Sequence, residues 1–218
     1  MGRILAMLLL AGSTIPAQAG DFSLGASAST LGFGAEAGYA FNDRFGVRLG
    51  GYAFSLDRDG EENGIQYEGE LDLSNVGFFV DWHPFAGVFR VSGGWFATDN
   101  TLDGTGVPGP GGTFDIGGIT FTETEVGTLG AMADLGTSAP FLGAGWVWGR
   151  DGGGLAWSLD LGILFQDSPD IELTSTGGTL SSEPALQAAL REEEAELEDD
   201  FDNYDLYPVI SVGVSWRF

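Results

Sequence analysis

The sequence predicts an all-β fold: an antiparallel up-and-down transmembrane β-barrel of eight strands, with ten possible. Three observations carry that reading. Stretches of about ten residues alternate between apolar and small or polar side chains, the apolar phase is crowded with aromatic rings, and short and long connections take turns between the stretches. Of the 218 residues, 43% are apolar and 37 are Gly, which leaves a large greasy surface to cover despite 32 acids against 8 bases. All eight bases are Arg, and a net charge of −24 excludes nucleic acid as a partner, because phosphate binding needs a basic face. With no Cys and a single His, His83, disulfides and multi-histidine metal sites are excluded too, and no cofactor is expected.

The elements follow in chain order. Residues 1–19 read as a signal peptide: Arg3, an apolar run from Ile4 to Ala11 too short to span a bilayer, then Ala17-Gln18-Ala19, whose small residues place cleavage after Ala19. Residues 20–218 then form one barrel domain, expected in the outer membrane of a Gram-negative bacterium. Strands are expected at 22–28, 31–41, 44–56, 65–82, 87–98, 138–148, 154–166 and 206–218. In the third, Gly50-Gly51 suggests a bulge that moves Tyr52, Phe54 and Leu56 to the apolar side; in the fourth, a second slip separates Leu71 and Leu73 from Val76, Phe78, Val80 and Trp82.

The second face of each strand separates a barrel in lipid from a soluble sandwich. It is mostly Gly, Ala and Ser with isolated charges, which suits a narrow closed interior and turns the aromatic face to lipid. Phe41, Phe45, Trp82, Phe85, Phe89, Trp95, Trp146, Trp148, Trp157 and Trp216 supply rings for interfacial girdles.

Connections set the orientation. Asn42-Asp43, His83 to Ala86 and Gly149 to Gly153 are short, as periplasmic turns are expected to be. Beyond a tight turn at Ser29-Thr30, the opposite connections at 57–64, 99–137 and 167–205 are long and hold 4, 6 and 13 acids, making the exterior mouth anionic. Residues 113–122 read as a hairpin turning at Gly117-Gly118, which would give ten strands if it crossed the membrane. Residues 184–203 carry Leu186, Leu190, Leu197, Phe201 and Tyr204 at helical spacing, an amphipathic helix with an acidic polar face.

With its leader, its short turns on one side and a last strand ending Val212, Val214, Trp216, Phe218, the chain resembles small Gram-negative outer-membrane barrels of the OmpA and OmpW types. More loosely it resembles the CarO-like barrels, described as channels for basic amino acids. The resemblance implies that Val214, Trp216 and Phe218 form the signal read by the barrel assembly machinery, that lipid and lipopolysaccharide surround the protein, and that it is a monomer.

Alternation places Glu36, Asp81 and Asp160 with Arg48, Arg90 and Arg217 in the lumen, where charges must pair or stay wet. Glu68, Glu70 and Asp72 are expected on the same inward face nearer the mouth, favouring cations. Asp57, Asp59, Glu61 and Asn63 match alternate positions of a calcium loop, but Glu62 stands where the sharp turn needs Gly, which makes them weak metal candidates. No nucleophile and base stand at catalytic spacing, and the chain is read as a non-enzyme. Two roles stay open: a small cation-preferring, porin-like channel for small solutes, and a closed barrel presenting acidic loops to ions, lipopolysaccharide or partners.

Overall fold

The computed structural model describes residues 22–62, 65–106, 108–109, 111–149, 153–166, 168–201 and 205–218, with the side chains at 58–62, 65–68 and 201 outside that description. The expected leader, residues 1–19, lies outside the described residues.

Eight strands close on themselves. They are β1 (Phe22–Ser29), β2 (Gly32–Ala40), β3 (Phe45–Glu62), β4 (Ile65–Trp82), β5 (Phe89–Gly106), and, after two short strands and β8 (Gly127–Asp134), β9 (Ser138–Trp148), β10 (Gly154–Phe165) and β12 (Leu206–Arg217). Every neighbouring pair is antiparallel, and β12 pairing with β1 removes the last edge. The ten-stranded alternative is not what forms. The hairpin of β6 (Thr113–Ile116) and β7 (Ile119–Thr122) turns at Gly117-Gly118 as its sequence predicts, but it makes a separate two-stranded sheet.

The strand β5 has two partners. Its first half, Phe89–Ala97, pairs with β9 in the barrel wall; its second half, Thr101–Gly106, pairs with β8, which in turn pairs with β11 (Asp170–Gly177). The wall therefore forks near Asn100, and β3, β4, β5, β8 and β11 continue beyond the barrel as a sheet. Against it pack the β6–β7 hairpin, the single-turn helix α1 (Glu123–Val126) and the helix α2 (Pro184–Phe201), with a small core of Phe114, Ile116, Phe121, Val126, Leu186, Ala189 and Leu190. This cap and the long connections lie at one end of the barrel. The turns at 41–44 and 83–88 and both ends of the described chain lie at the other.

Neither expected phase slip occurs. Register between β3 and β4 runs unbroken from Phe45↔Trp82 to Glu62↔Ile65, with Gly50↔Gly77 and Gly51↔Val76 in sequence. Tyr52 accordingly points inward and is 7% exposed. What changes at these positions is the interior, from a charged layer to an apolar one, so an inward aromatic follows an inward charge without any bulge.

The outer face is a belt of exposed rings and branched chains, among them Phe33, Phe41, Phe45, Phe78, Trp82, Trp95, Trp148, Trp157 and Trp216, each at least 45% exposed. In water such a belt would aggregate; on a closed barrel it is the surface that faces hydrocarbon.

Candidate functional site: the barrel interior

Three layers fill the barrel, because alternate residues of all eight strands converge on a narrow axis. The layer toward the short turns surrounds a cavity of about 80 Å³, lined by residues including Ser23, Gly38, His83, Ser158 and Arg217. His83, expected in a turn, is folded inward and 7% exposed. Its Nδ1 lies 3.0 Å from the carbonyls of both Gly87 and Phe89, which places a proton on Nδ1 to donate to them.

The middle layer is ionic. Glu36 from β2, Arg48 from β3, Asp81 from β4, Arg90 from β5 and Asp160 from β10 meet in one network. The Arg48 guanidinium donates to Glu36 at 2.7 Å and to Asp81 at 2.6 Å; Arg90 binds Asp160 through Nε at 3.0 Å and Nη2 at 2.7 Å, and reaches Asp81 at 3.5 Å. Ser27 and Tyr52 donate to Glu36, and Ser92 donates to Asp81. Three carboxylates thus share two guanidiniums, with hydroxyls taking up remaining lone pairs, as burial of charge requires. Gly145 leaves the space: a Cβ there would overlap the Asp160 carboxylate.

The third layer is an aromatic stopper. Phe79, Phe96 and Phe141 pack edge to face, with centroid separations of 5.2, 5.4 and 5.8 Å, and Tyr52, Leu31, Leu164 and Val209 complete the cluster. Glycines opposite the rings make room, for a Cβ at Gly77, Gly143 or Gly162 would strike Phe79 or Phe141. The Arg48 guanidinium lies over the Phe79 ring, 4.7 Å from its centroid, joining stopper to network.

Of the residues singled out by sequence, Glu36, Arg48, Asp81, Arg90 and Asp160 are brought together, while Arg217 lines the cavity nearer the short-turn rim. Glu70 and Asp72 are corrected. With β4 unbroken, they share the outward face with Val76 and Phe78, and Glu70 stands beside Asp57 and Asp103 across β3, β4 and β5. There the neighbouring Asp72, through a hydrogen bond, and then the Asp57 charge push the Glu70 carboxyl above its ordinary range. The side chain of Glu68 lies outside the described residues.

Of the weak metal candidates, Asp57 sits in β3 on that outward face, the Asp59 and Glu61 side chains are outside the description, and so is Asn63. Positions 57, 59 and 61 run along the single strand β3, paired to Glu70, Glu68 and Gln66 of β4, and do not form the turn of a calcium loop. At the end of β12, Trp216 and, just past it, Phe218 are 55% and 50% exposed, with Val214 on the same outward face as Trp216.

Sequence reasoning missed the stopper, because nothing local marks Phe79, Phe96 and Phe141 as meeting inside the barrel, and the pair Asn75 and Asn100, which carries no sequence signal.

No family model and no curated protein matches the chain. Among solved structures, CarO of Acinetobacter baumannii aligns with a TM-score of 0.57 and 22% identity over 91% of this chain and 97% of that one. CarO2 of the same organism aligns with a TM-score of 0.59 and 21% identity over 93% and 100%. At that identity the likeness is one of architecture, and the chain has the closed eight-stranded barrel fold of the CarO proteins.

Proposed function

We propose that the protein is an outer-membrane barrel with a closed lumen, acting at the cell surface through its acidic extracellular cap. The observation that carries this reading is the stopper: Phe79, Phe96 and Leu164 are 3%, 1% and 0% exposed, and they fill the cross-section directly above a buried ionic network. An ion crossing here would have to break charge pairs and then pass a dry ring cluster, both costly in a low dielectric. The cap supplies the exposed chemistry, a helix bearing Glu192, Glu196, Asp199 and Asp200 in solvent above the membrane belt, suited to cations and to cation-bridged lipopolysaccharide.

A gated, cation-preferring channel is the second reading. It is favoured by the cavity, which opens the lumen from the periplasmic end as far as Arg48 and Asp81 and leaves the ionic layer and the stopper as the barriers. Planar-bilayer conductance of the refolded chain from residue 20 onward separates the two, after an unheated-versus-boiled gel shift has shown a folded barrel. A silent bilayer is the expected result. Discrete cation-selective steps, blocked by added arginine or ornithine, would overturn the closed-lumen reading.

A further inference from the structure

The cap sheet ends on an open edge. Among the described residues β11 pairs with β8 on one side only, and residues two apart on its other side direct their N–H groups away from the ladder. An uncovered edge of this kind is a template for pairing with another chain. Here it is covered by a helix. The Leu173 N–H donates to Glu194 Oε1 at 2.7 Å and the Ile171 N–H donates to Glu198 Oε1 at 3.1 Å.

The periodicities explain the fit. Four residues of α-helix rise about 6.0 Å and two residues of strand about 6.6 Å, so glutamates at i and i+4 meet successive outward N–H groups of a strand without bending either element. As helix numbering rises from 194 to 198, strand numbering falls from 173 to 171, so α2 runs antiparallel to β11 as a next strand would. A third carboxylate, Glu193, accepts the Gly117 N–H at 2.8 Å and ties the hairpin to the same helix. Gly117 has φ +55°, and a Cβ there would meet the Ala189 carbonyl at 2.6 Å, so the turn is built to lie against the helix backbone. Exposure divides the acids accordingly: Glu193, Glu194 and Glu198 are half-buried, whereas Glu192, Glu196, Asp199 and Asp200 are exposed.

We infer that α2 is a strand surrogate, in which Glu194 and Glu198 stand in for the carbonyls of an absent neighbouring strand and strap the open edge of β11. The acids of this helix are therefore two sets, one holding backbone and one facing solvent. The strap is a one-to-one ladder, and the test reads each rung. Amide hydrogen exchange is measured on the refolded barrel in micelles, for the variants E194A, E198A, E194Q and the exposed-acid control E192A/E196A. In E194A, Leu173 is expected to lose protection about tenfold or more while Ile171 keeps it; E198A gives the reverse. E194Q retains protection, because the amide oxygen still accepts, and the control matches the parent. The hairpin amides of Ile116 and Ile119 show whether the cap itself has stayed folded. Equal loss at Ile171 and Leu173 in both single variants would show an apolar lid and not a ladder. Unchanged protection in an E194A/E198A double variant, or loss in E194Q equal to that in E194A, would likewise overturn the assignment.

Discussion

Asn75 and Asn100 exchange both amide hydrogen bonds, at 2.9 and 3.1 Å, where the barrel wall forks, and each is almost wholly buried. The Asn100 oxygen also accepts the Ser74 N–H at 3.0 Å, while its backbone carbonyl accepts the Leu135 N–H. Replacing Asn100 with Ala leaves the buried Asn75 amide without a partner for its donor and its acceptor, and takes the acceptor from the Ser74 N–H. The expected cost is about 1–3 kcal/mol, read as a lower urea midpoint of the refolded barrel in lipid vesicles. An unchanged midpoint would mean that water replaces the lost amide.

The ionic layer predicts a non-additive pair. Arg90→Leu leaves Asp160 without its bidentate partner and is expected to cost about 3–5 kcal/mol. Arg90→Leu combined with Asp160→Leu removes both charges and should recover most of that loss. If the double variant is as weak as the sum of the two single ones, the pair is not a coupled unit.

The stopper can be opened by subtraction. Phe96→Ala combined with Phe141→Ala removes two of the three interlocked rings while leaving the outer belt untouched. A bilayer silent with the parent chain should then show discrete conductance, with a stability loss of about 3–5 kcal/mol per ring as an upper figure for a site that does not collapse. Continued silence from a folded double variant would shift the barrier to the ionic layer.

At the cap's outer face, pH acts through Glu70. Its raised carboxyl pKa means that the folded state favours the proton more than the unfolded chain does. Above the folded value this region loses the hydrogen bond that protonated Glu70 makes with Asp72 and gains charge repulsion from Asp57 and Asp72, so stability rises as pH falls through it. Below the unfolded value the gain is complete. Asp72→Asn should lower the Glu70 carboxyl toward the ordinary glutamate range in a carboxyl-carbon NMR titration, with Asp57 and Asp103 still holding it above; no movement would discount Asp72 as the main cause.

Much of the fold was legible because lipid enforces a simple rule on the outer face. Ile210, Val212, Val214 and Trp216 alternate so regularly that β12 could be placed to within one residue, and Leu186 with Leu190 marked α2. The inner face obeys no single rule. Asp81, Phe79, Gly77 and Asn75 follow one another inward along β4, an acid, a ring, a gap and an amide, and an apolar inward residue there reads as a change of phase. That is why the sequence pattern turns Tyr52 outward and Asp72 inward, opposite to their places in the barrel. β8 and β11 were missed for a different reason. Gly127–Asp134 is mostly small residues, and its partners come from β5 and from a segment some forty positions later, so nothing local announces a strand. The lumen charges were visible singly, but which acid meets which guanidinium depends on register across five strands.

The three rings of the stopper belong to β4, β5 and β9 themselves and not to an inserted loop or plug domain. A plug can be swung aside on a hinge or trimmed away whole, whereas here each obstacle is one side chain rooted in a strand and seated against a glycine. Bore is thus a quantity set one substitution at a time from within. Each can be altered without disturbing the lipid-facing surface or the cap, which makes this barrel a scaffold whose aperture and outer coat can be engineered separately.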